Sequence, residues 1–346
     1  MSRRSLTLVI ATVGVIAALA VAVLVPVPYV ILGPGPTLNT LGQDSSGQPL
    51  IAISGRTTYP TTGHLNMVTV GYQGGPGSNL NIFSALTAWL NPHKAVVPES
   101  ELFPPGQTQQ QAQKADTQQM TGSQQDAVAA ALTELHIAYQ IQVVVAGTEQ
   151  GFPASGVLKA GDVITAVDGK PVASESSLTT LIRAHPAGAA LDVTIVRGGR
   201  TQTVQVGTKQ SGGHPVMGVQ VTEQCPCQFP FSVKFSVGDI GGPSAGMMFA
   251  LGIIDKLTTM DLTGGKFIAG TGEIEASGQV DPIGGIQQKM VGARDAGATI
   301  FLAPATNCSD VKGAIPAGLQ VVKVATLSQA VTYLQDIKTG QPVPSC

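Results

Sequence analysis

Twenty consecutive residues without a charge, LTLVIATVGVIAALAVAVLV (Leu6–Val25), follow Ser2-Arg3-Arg4 near the start of the chain. At about 1.5 Å of rise per residue a helix of that length crosses a bilayer core of roughly 30 Å. The arginines precede the run and no basic cluster follows it, so the positive-inside rule predicts a cytoplasmic N-terminus and outward-facing domains. A cleaved signal peptide is the competing reading. An uncleaved anchor is favoured, because the run exceeds a signal core of about 7–15 residues and PVPYVILGPGP offers no convincing small-x-small cleavage site.

The 346 residues suffice for two domains, each with its own core. A net charge of −2 gives no general case for nucleic-acid binding. Only 12% of residues are charged, about half the usual roughly 25%, so the exposed surface is expected to rest on Ser, Thr, Gln and Gly. Forty-two glycines and 23 prolines imply many turns and strands rather than a helical bundle. The four cysteines, Cys225, Cys227, Cys308 and Cys346, sit in a part of the chain expected to face an oxidising compartment. Cys225-Pro226-Cys227 is too tight to close comfortably on itself, so either a bond from it to Cys308 or Cys346, or free thiols, is expected. The C-x-C spacing lacks a histidine pair, and neither a metal nor any other cofactor is expected.

Beyond a Pro/Gly-rich exit at 26–36, alternating segments such as HLNMVTVGY (His64–Tyr72) read as strands. NIFSALTAWL (Asn81–Leu90) has helical spacing. The polar, glutamine-rich 99–119 stretch with its Pro-Pro reads as a long exposed loop. Helical spacing returns at Ser123–Leu135, with Ser123 as its N-cap.

Ile141 to Thr208 reads as a unit of its own: a strand, a turn with a short helix, a further strand, a capped helix (SESSLTTLIRAH) and a hairpin closed by Gly198-Gly199. This order resembles a PDZ domain of the bacterial protease type. The residues that carry the likeness are Gly151, Pro153, Ala154, Gly156-Val157-Leu158, Gly161-Asp162-Val163-Ile164 and Val167-Asp168-Gly169-Lys170-Pro171. The resemblance implies capture of an extended peptide as an added strand. A loop that holds a terminal carboxylate is expected before Val143, where LHIAYQIQ shows no glycine-rich version of it.

GDIGGPSAGMM (Gly238–Met248) then puts Ser244 just after a proline and before an apolar helical run. Pro243 or Ser244 is expected at the helix start, with the hydroxyl beside free backbone N–H groups that can hold an oxyanion. An N-cap serine looks the same in sequence. None of the five histidines, His64, His93, His136, His185 and His214, stands in a recognisable triad setting. A lysine replaces histidine when burial lowers its pKa by several units from about 10.4. In IQQKMVGARDAGA, Lys289 lies on or beside the apolar face formed by Ile286, Met290, Val291 and Ala293.

GPSAG followed by TGEI…G.V.PIGGI..K…A..AGA resembles the proteolytic domain of Lon-type serine peptidases, from Gly242 to about Pro304 and more loosely to the end of the chain. The resemblance implies Ser244 as nucleophile, Lys289 as its general base, Thr271 as an orienting hydroxyl and backbone N–H groups around Gly242 and Ser244 as the oxyanion holder. It departs in one place. The acidic residue common three positions before the serine is Gly241 here, and Asp239, five before, either assists the site or caps a strand end. No G-x-x-x-x-G-K-[ST] occurs, so no nucleotide is implied. The nearest family shape is the membrane-anchored, PDZ-containing, ATP-independent Lon-like peptidase of bacteria.

The expected fold is α+β: an anchor over 1–32, an N-terminal strand and helix part of the peptidase region over 33–135, a small β-rich PDZ domain over 136–210 inserted in the peptidase fold, and the Lon-type domain over 211–346. The expected function is endoproteolysis of extracytoplasmic proteins by Ser244 and Lys289, with protein or peptide substrates and a possible homo-oligomer. The alternative is an inactive PDZ-containing scaffold at the cell surface.

Overall fold

The computed structural model describes residues 3–346 apart from 45, 140–141, 173 and 225–228. It divides into two compact units. One combines residues 1–137 with 232–346, and the other is the continuous stretch 138–231 that interrupts it.

The discontinuous unit opens with the apolar helix α1 (Arg3–Leu24), of which Ser5–Leu24 is long and apolar enough to cross a membrane. Strand β1 (Tyr29–Asn39) follows, then β2 (Ile51–Ser54) and β3 (His64–Gly74). The short helix α2 (Ile82–Trp89) is capped by Asn81, whose side chain accepts from Ser84 N–H. Next come β4 (Ala95–Pro98) and a single turn, α3 (Glu99–Leu102).

The glutamine-rich stretch is not a loop. After α3 the chain forms α4 (Gln109–Glu134), 26 residues long. Thr108 starts this helix with a reciprocal capping box: its hydroxyl accepts from Gln111 N–H, and the Gln111 side chain accepts from Thr108 N–H. Gln, Ala and Lys are good helix formers, so the first turns need only sparse burial, at Ala112 and Met120. Ser123 is therefore a buried mid-helix residue rather than an N-cap. Past it the Ala127–Leu132 run is wholly buried.

The continuous unit contains β5 (Gln142–Thr148), β6 (Val163–Val167), β7 (Lys170–Pro171), α5 (Glu175–Arg183), β8 (Ala190–Arg197), β9 (Arg200–Gly207), β10 (Lys209–Ser211), β11 (His214–Val216) and β12 (Val219–Gln224). Its main sheet runs β12-β5-β6-β8-β9. The expected hairpin is β8 with β9, turned at Gly198 and Gly199 with φ of 56° and 77°, which glycine adopts at little cost. Leu178 and Ile182 of α5 close a core with Val143, Ile164, Leu191 and Ile195. Strand β12 lies beyond the expected end at 210, yet pairs antiparallel with β5 and completes this sheet. Helix α5 packs against β12, and the chain enters that strand through Met217-Gly218 rather than through residues before Val143.

Back in the discontinuous unit, β13 (Ser232–Phe235) pairs with β2, and α6 (Gly246–Leu257) is buried along nearly its whole length. Then come β14 (Phe267–Gly270), β15 (Glu273–Ile274), β16 (Val280–Asp281), α7 (Ile286–Asp295), β17 (Ile300–Pro304), α8 (Cys308–Val311), β18 (Gln320–Val324) and α9 (Leu327–Thr339). The sheet order β18-β17-β14-β3-β1-β4 joins both halves of the unit, through a parallel pairing of β14 with β3. Its inner strands read as apolar runs such as IFLAP, buried throughout, as a sheet with covered faces requires. Cys308 bonds to Cys346, not to the C-x-C pair. Cys225 and Cys227 lie outside the described residues.

Candidate active site

Three segments converge at the start of α6. Ser244 sits in the turn just before the helix, half-buried, and the first helical residue is Gly246, later than the expected start at Pro243 or Ser244. Its carbonyl is gripped twice: Gly272 N–H and the Thr271 hydroxyl both donate to it at 2.9 Å. The turn is held from another side by α4, where the Ser123 hydroxyl donates to Pro243 O at 2.7 Å. Gly246 has no room for a side chain. A Cβ there would stand 2.6 Å from Ile274 Cγ2 and 2.8 Å from Ser123 Oγ, so the close approach of α4, α6 and β15 depends on glycine.

Lys289 enters from α7, whose left-handed N-cap Gly285 turns the chain into the helix. Its Nζ is 2.7 Å from Ser244 Oγ and 2.9 Å from Thr271 Oγ1. Lysine and threonine are both buried, at 3% and 0% exposed. Among the described residues no carboxylate forms an ion pair with this lysine. Burial alone therefore decides its charge, pushing the pKa down from 10.5 to about 7. A helix flank of mixed polarity thus holds an amine that is neutral in a large fraction of molecules near pH 7.

The hydrogen-bond directions fix what each group can do. The Thr271 proton is committed to Ser244 O, so Thr271 Oγ1 can only accept from Lys289. A neutral amine that donates there can turn its lone pair toward the remaining neighbour, Ser244 Oγ–H. Replacing Thr271 with valine keeps the shape and removes this constraint. The expected result is a fall in kcat of about 10- to 100-fold, the equivalent of one lost buried hydrogen bond, with KM little changed. Steady-state kinetics on a peptide substrate would show it.

Ser244, Lys289 and Thr271 are thus brought together. Gly242 is not in the expected role. Its N–H donates to Asp116 O on α4 at 3.0 Å, so it is not a free oxyanion donor here. The Ser244 N–H has no acceptor among the described residues. Asp239 lies exposed in the preceding turn and bonds to neither Ser244 nor Lys289. The histidines are elsewhere, His64 stacked on Phe267 and His185 against Asp168. Ser123 and Asp116, the residues of α4 that brace the 242–243 turn, were not found from sequence. The Thr108-x-x-Gln111 box was the available signal, since it moves the helix start and turns Ser123 inward.

A further brace lies behind α7. Asn307 clamps the approach to that helix, accepting from Ile283 N–H and donating to Ile283 O. Its neighbour Cys308 carries the disulfide to the last residue, Cys346.

Residues 237–336 match the family model described as the Lon protease (S16) C-terminal proteolytic domain, and residues 113–208 match the PDZ domain model. The PDZ match starts within α4 and stops short of β12, so its ends differ from those of the compact unit 138–231. Lon protease 2 of Herpetosiphon aurantiacus is 44% identical over 71 residues, covering 20% of this chain and 8% of that protein. Lon protease 1 of Bacillus subtilis is 39% identical over 71 residues, 20% of this chain and 9% of its own length. Lon protease of Neorickettsia sennetsu is 32% identical over 106 residues, 30% of this chain and 12% of that protein. The chain therefore matches only about a tenth of the length of these curated relatives. Among solved structures, the PDZ domain of the SdrC-like protein from Listeria monocytogenes aligns at 25% identity over 23% of this chain and 85% of that one, with a TM-score of 0.22. Residues 237–336 are a Lon-type proteolytic domain, and the chain joins that domain to a PDZ domain in an α+β fold.

Proposed function

We propose that this protein is a serine endopeptidase that works without ATP, held in the cell membrane by α1 with its two domains on the outer side. The observation that carries the reading is the buried, carboxylate-free Lys289 placed 2.7 Å from Ser244 Oγ. Neutral Lys289 takes the hydroxyl proton as Oγ attacks a peptide carbonyl, and an acyl-enzyme forms through a tetrahedral intermediate. The Ser244 N–H is the nearest available donor for the oxyanion. The lysine ammonium then gives its proton to the leaving amine. Water, deprotonated by the same lysine, attacks the ester and releases Ser244. No step uses a nucleotide, and the chain's sequence contains no Walker-type phosphate loop.

Substrate capture is assigned to the 138–231 unit. Strand β12 ends its sheet, paired only with β5 among the described strands, and α5 runs beside it. An extended protein segment can add to that edge through its main chain, with α5 as the second wall.

The sign of the pH dependence tests the proposal. Lys289 is the reactive base only when neutral, and its pKa is pushed down to about 7 by burial. Log kcat/KM for an unfolded protein substrate is therefore expected to rise with unit slope below pH 7 and to level off above it, when measured between about pH 5 and 9. A rate that keeps climbing toward the ordinary lysine range, or one independent of pH, would rule out a desolvated lysine base.

A further inference from the structure

Helix α2 (Ile82–Trp89) buries one side and leaves the other bare. Ala88 faces in and packs with Ile31 and Leu80. Phe83, Leu86 and Leu90, spaced i, i+3 and i+7, share the opposite face with Trp89 beside them, and all four are exposed. Trp89 and Leu90 are 71% and 76% exposed, high for residues of their size. No charged residue lies anywhere on the helix. Such a face on a small helix needs a partner.

Where α2 sits indicates which partner. Helix α1 ends at Leu24, and the chain leaving it is tied directly to the start of α2: Pro26 bridges Asn81, and Val27 N–H donates to Leu80 O at 2.7 Å. The two helices also touch. Tyr29, two residues past that tie, is exposed as well. Tryptophan and tyrosine at the exit of a membrane-crossing helix mark the depth of lipid headgroups, and a short helix with one apolar face lies flat at that depth.

We infer that α2 is an interfacial membrane helix, inserting Phe83, Leu86, Trp89 and Leu90 into the outer leaflet and so fixing the peptidase sheet at a set height on the bilayer. The inference rests on α1 crossing the membrane. The occupant is lipid, and because α2 carries no basic residue its insertion relies on apolar area and needs no anionic lipid.

Trp89 is the single tryptophan of the chain, so the native protein carries its own probe. The full chain would be reconstituted into phosphatidylcholine vesicles and floated on a density gradient, and the emission of the floated fraction then read. Flotation reports α1, and Trp89 reports α2. The expected result is flotation, blue-shifted emission shielded from aqueous iodide, and at least a roughly twofold loss of emission when the lipids carry bromine near the carbonyl end of the acyl chain. Flotation with Trp89 quenched by iodide and untouched by brominated lipid overturns the inference while leaving the anchor intact. Blue-shifted emission insensitive to bromine, which reverts as protein is diluted in lipid, overturns it in favour of a second copy covering the face. Failure to float overturns both the anchor and the inference.

Discussion

The Ser244→Ala variant is expected to lose at least about 10³-fold in hydrolysis of an unfolded protein substrate while keeping its fold. The change deletes one oxygen. Ser244 O still receives Gly272 N–H and the Thr271 hydroxyl, and Ser123 still holds Pro243 O, so the turn keeps its braces. Only the oxygen proposed to attack is missing. Peptide binding to the 138–231 unit should be unchanged, measurable as an equal dissociation constant for a captured segment in both proteins. Equal hydrolysis by wild type and variant would mean a contaminating protease. Binding without hydrolysis in the wild type would favour a scaffold over an enzyme.

A second large effect is expected at Lys289, and it has two opposite signs. Methionine there fills nearly the same space without the amine. Hydrolysis should fall by about 10²–10⁴-fold, the usual contribution of a general base. Stability should rise. In the wild type the lysine pKa is about 7 folded, against 10.5 as the ordinary value, so between these two limits the unfolded chain binds more protons than the folded one. Wild-type stability accordingly increases with pH across that window, and below it the full burial penalty applies. The Lys289→Met variant lacks the penalty and the slope. Its Tm should exceed that of the wild type near pH 7 by the equivalent of a few kcal/mol, and the gap should narrow toward about pH 10. A constant gap would mean that the gain comes from packing rather than from removal of a buried amine.

The pairing of Ser244 with Lys289 was legible in sequence through the resemblance carried by GPSAG and PIGGI..K, whose glycine-marked turns lead into α6 and α7 and leave a local signature. Thr271 was legible for a similar reason, in the short link between β14 and β15. Residues that act through distant pairing were not. Asp116 takes the Gly242 N–H from a helix more than a hundred positions away, and no local pattern announces a backbone bond of that kind. The first turns of α4 hide because glutamines give no apolar period, and only the capping box betrays them. Strand β12 was missed since its partner, β5, precedes it by a whole domain, so that edge and register follow from tertiary pairing alone. The Cys308–Cys346 bond shows the same limit, because spacing leaves the three pairings of four cysteines unranked.

The interruption of the discontinuous unit by residues 138–231 has a consequence for the chain while it is being made. The central pairing of β3 with β14 joins segments about 200 residues apart, a highly non-local contact. The continuous unit can fold as soon as its own residues emerge, whereas the sheet carrying α6 and α7 must wait for the residues from 232 onward. At about 5–20 residues per second that wait lasts several seconds. During synthesis the continuous unit is thus complete while the discontinuous one is still unassembled. Ser244 and Lys289 can meet only once the strands β14 to β18 are available, so on the proposed reading a nascent copy is inactive until then.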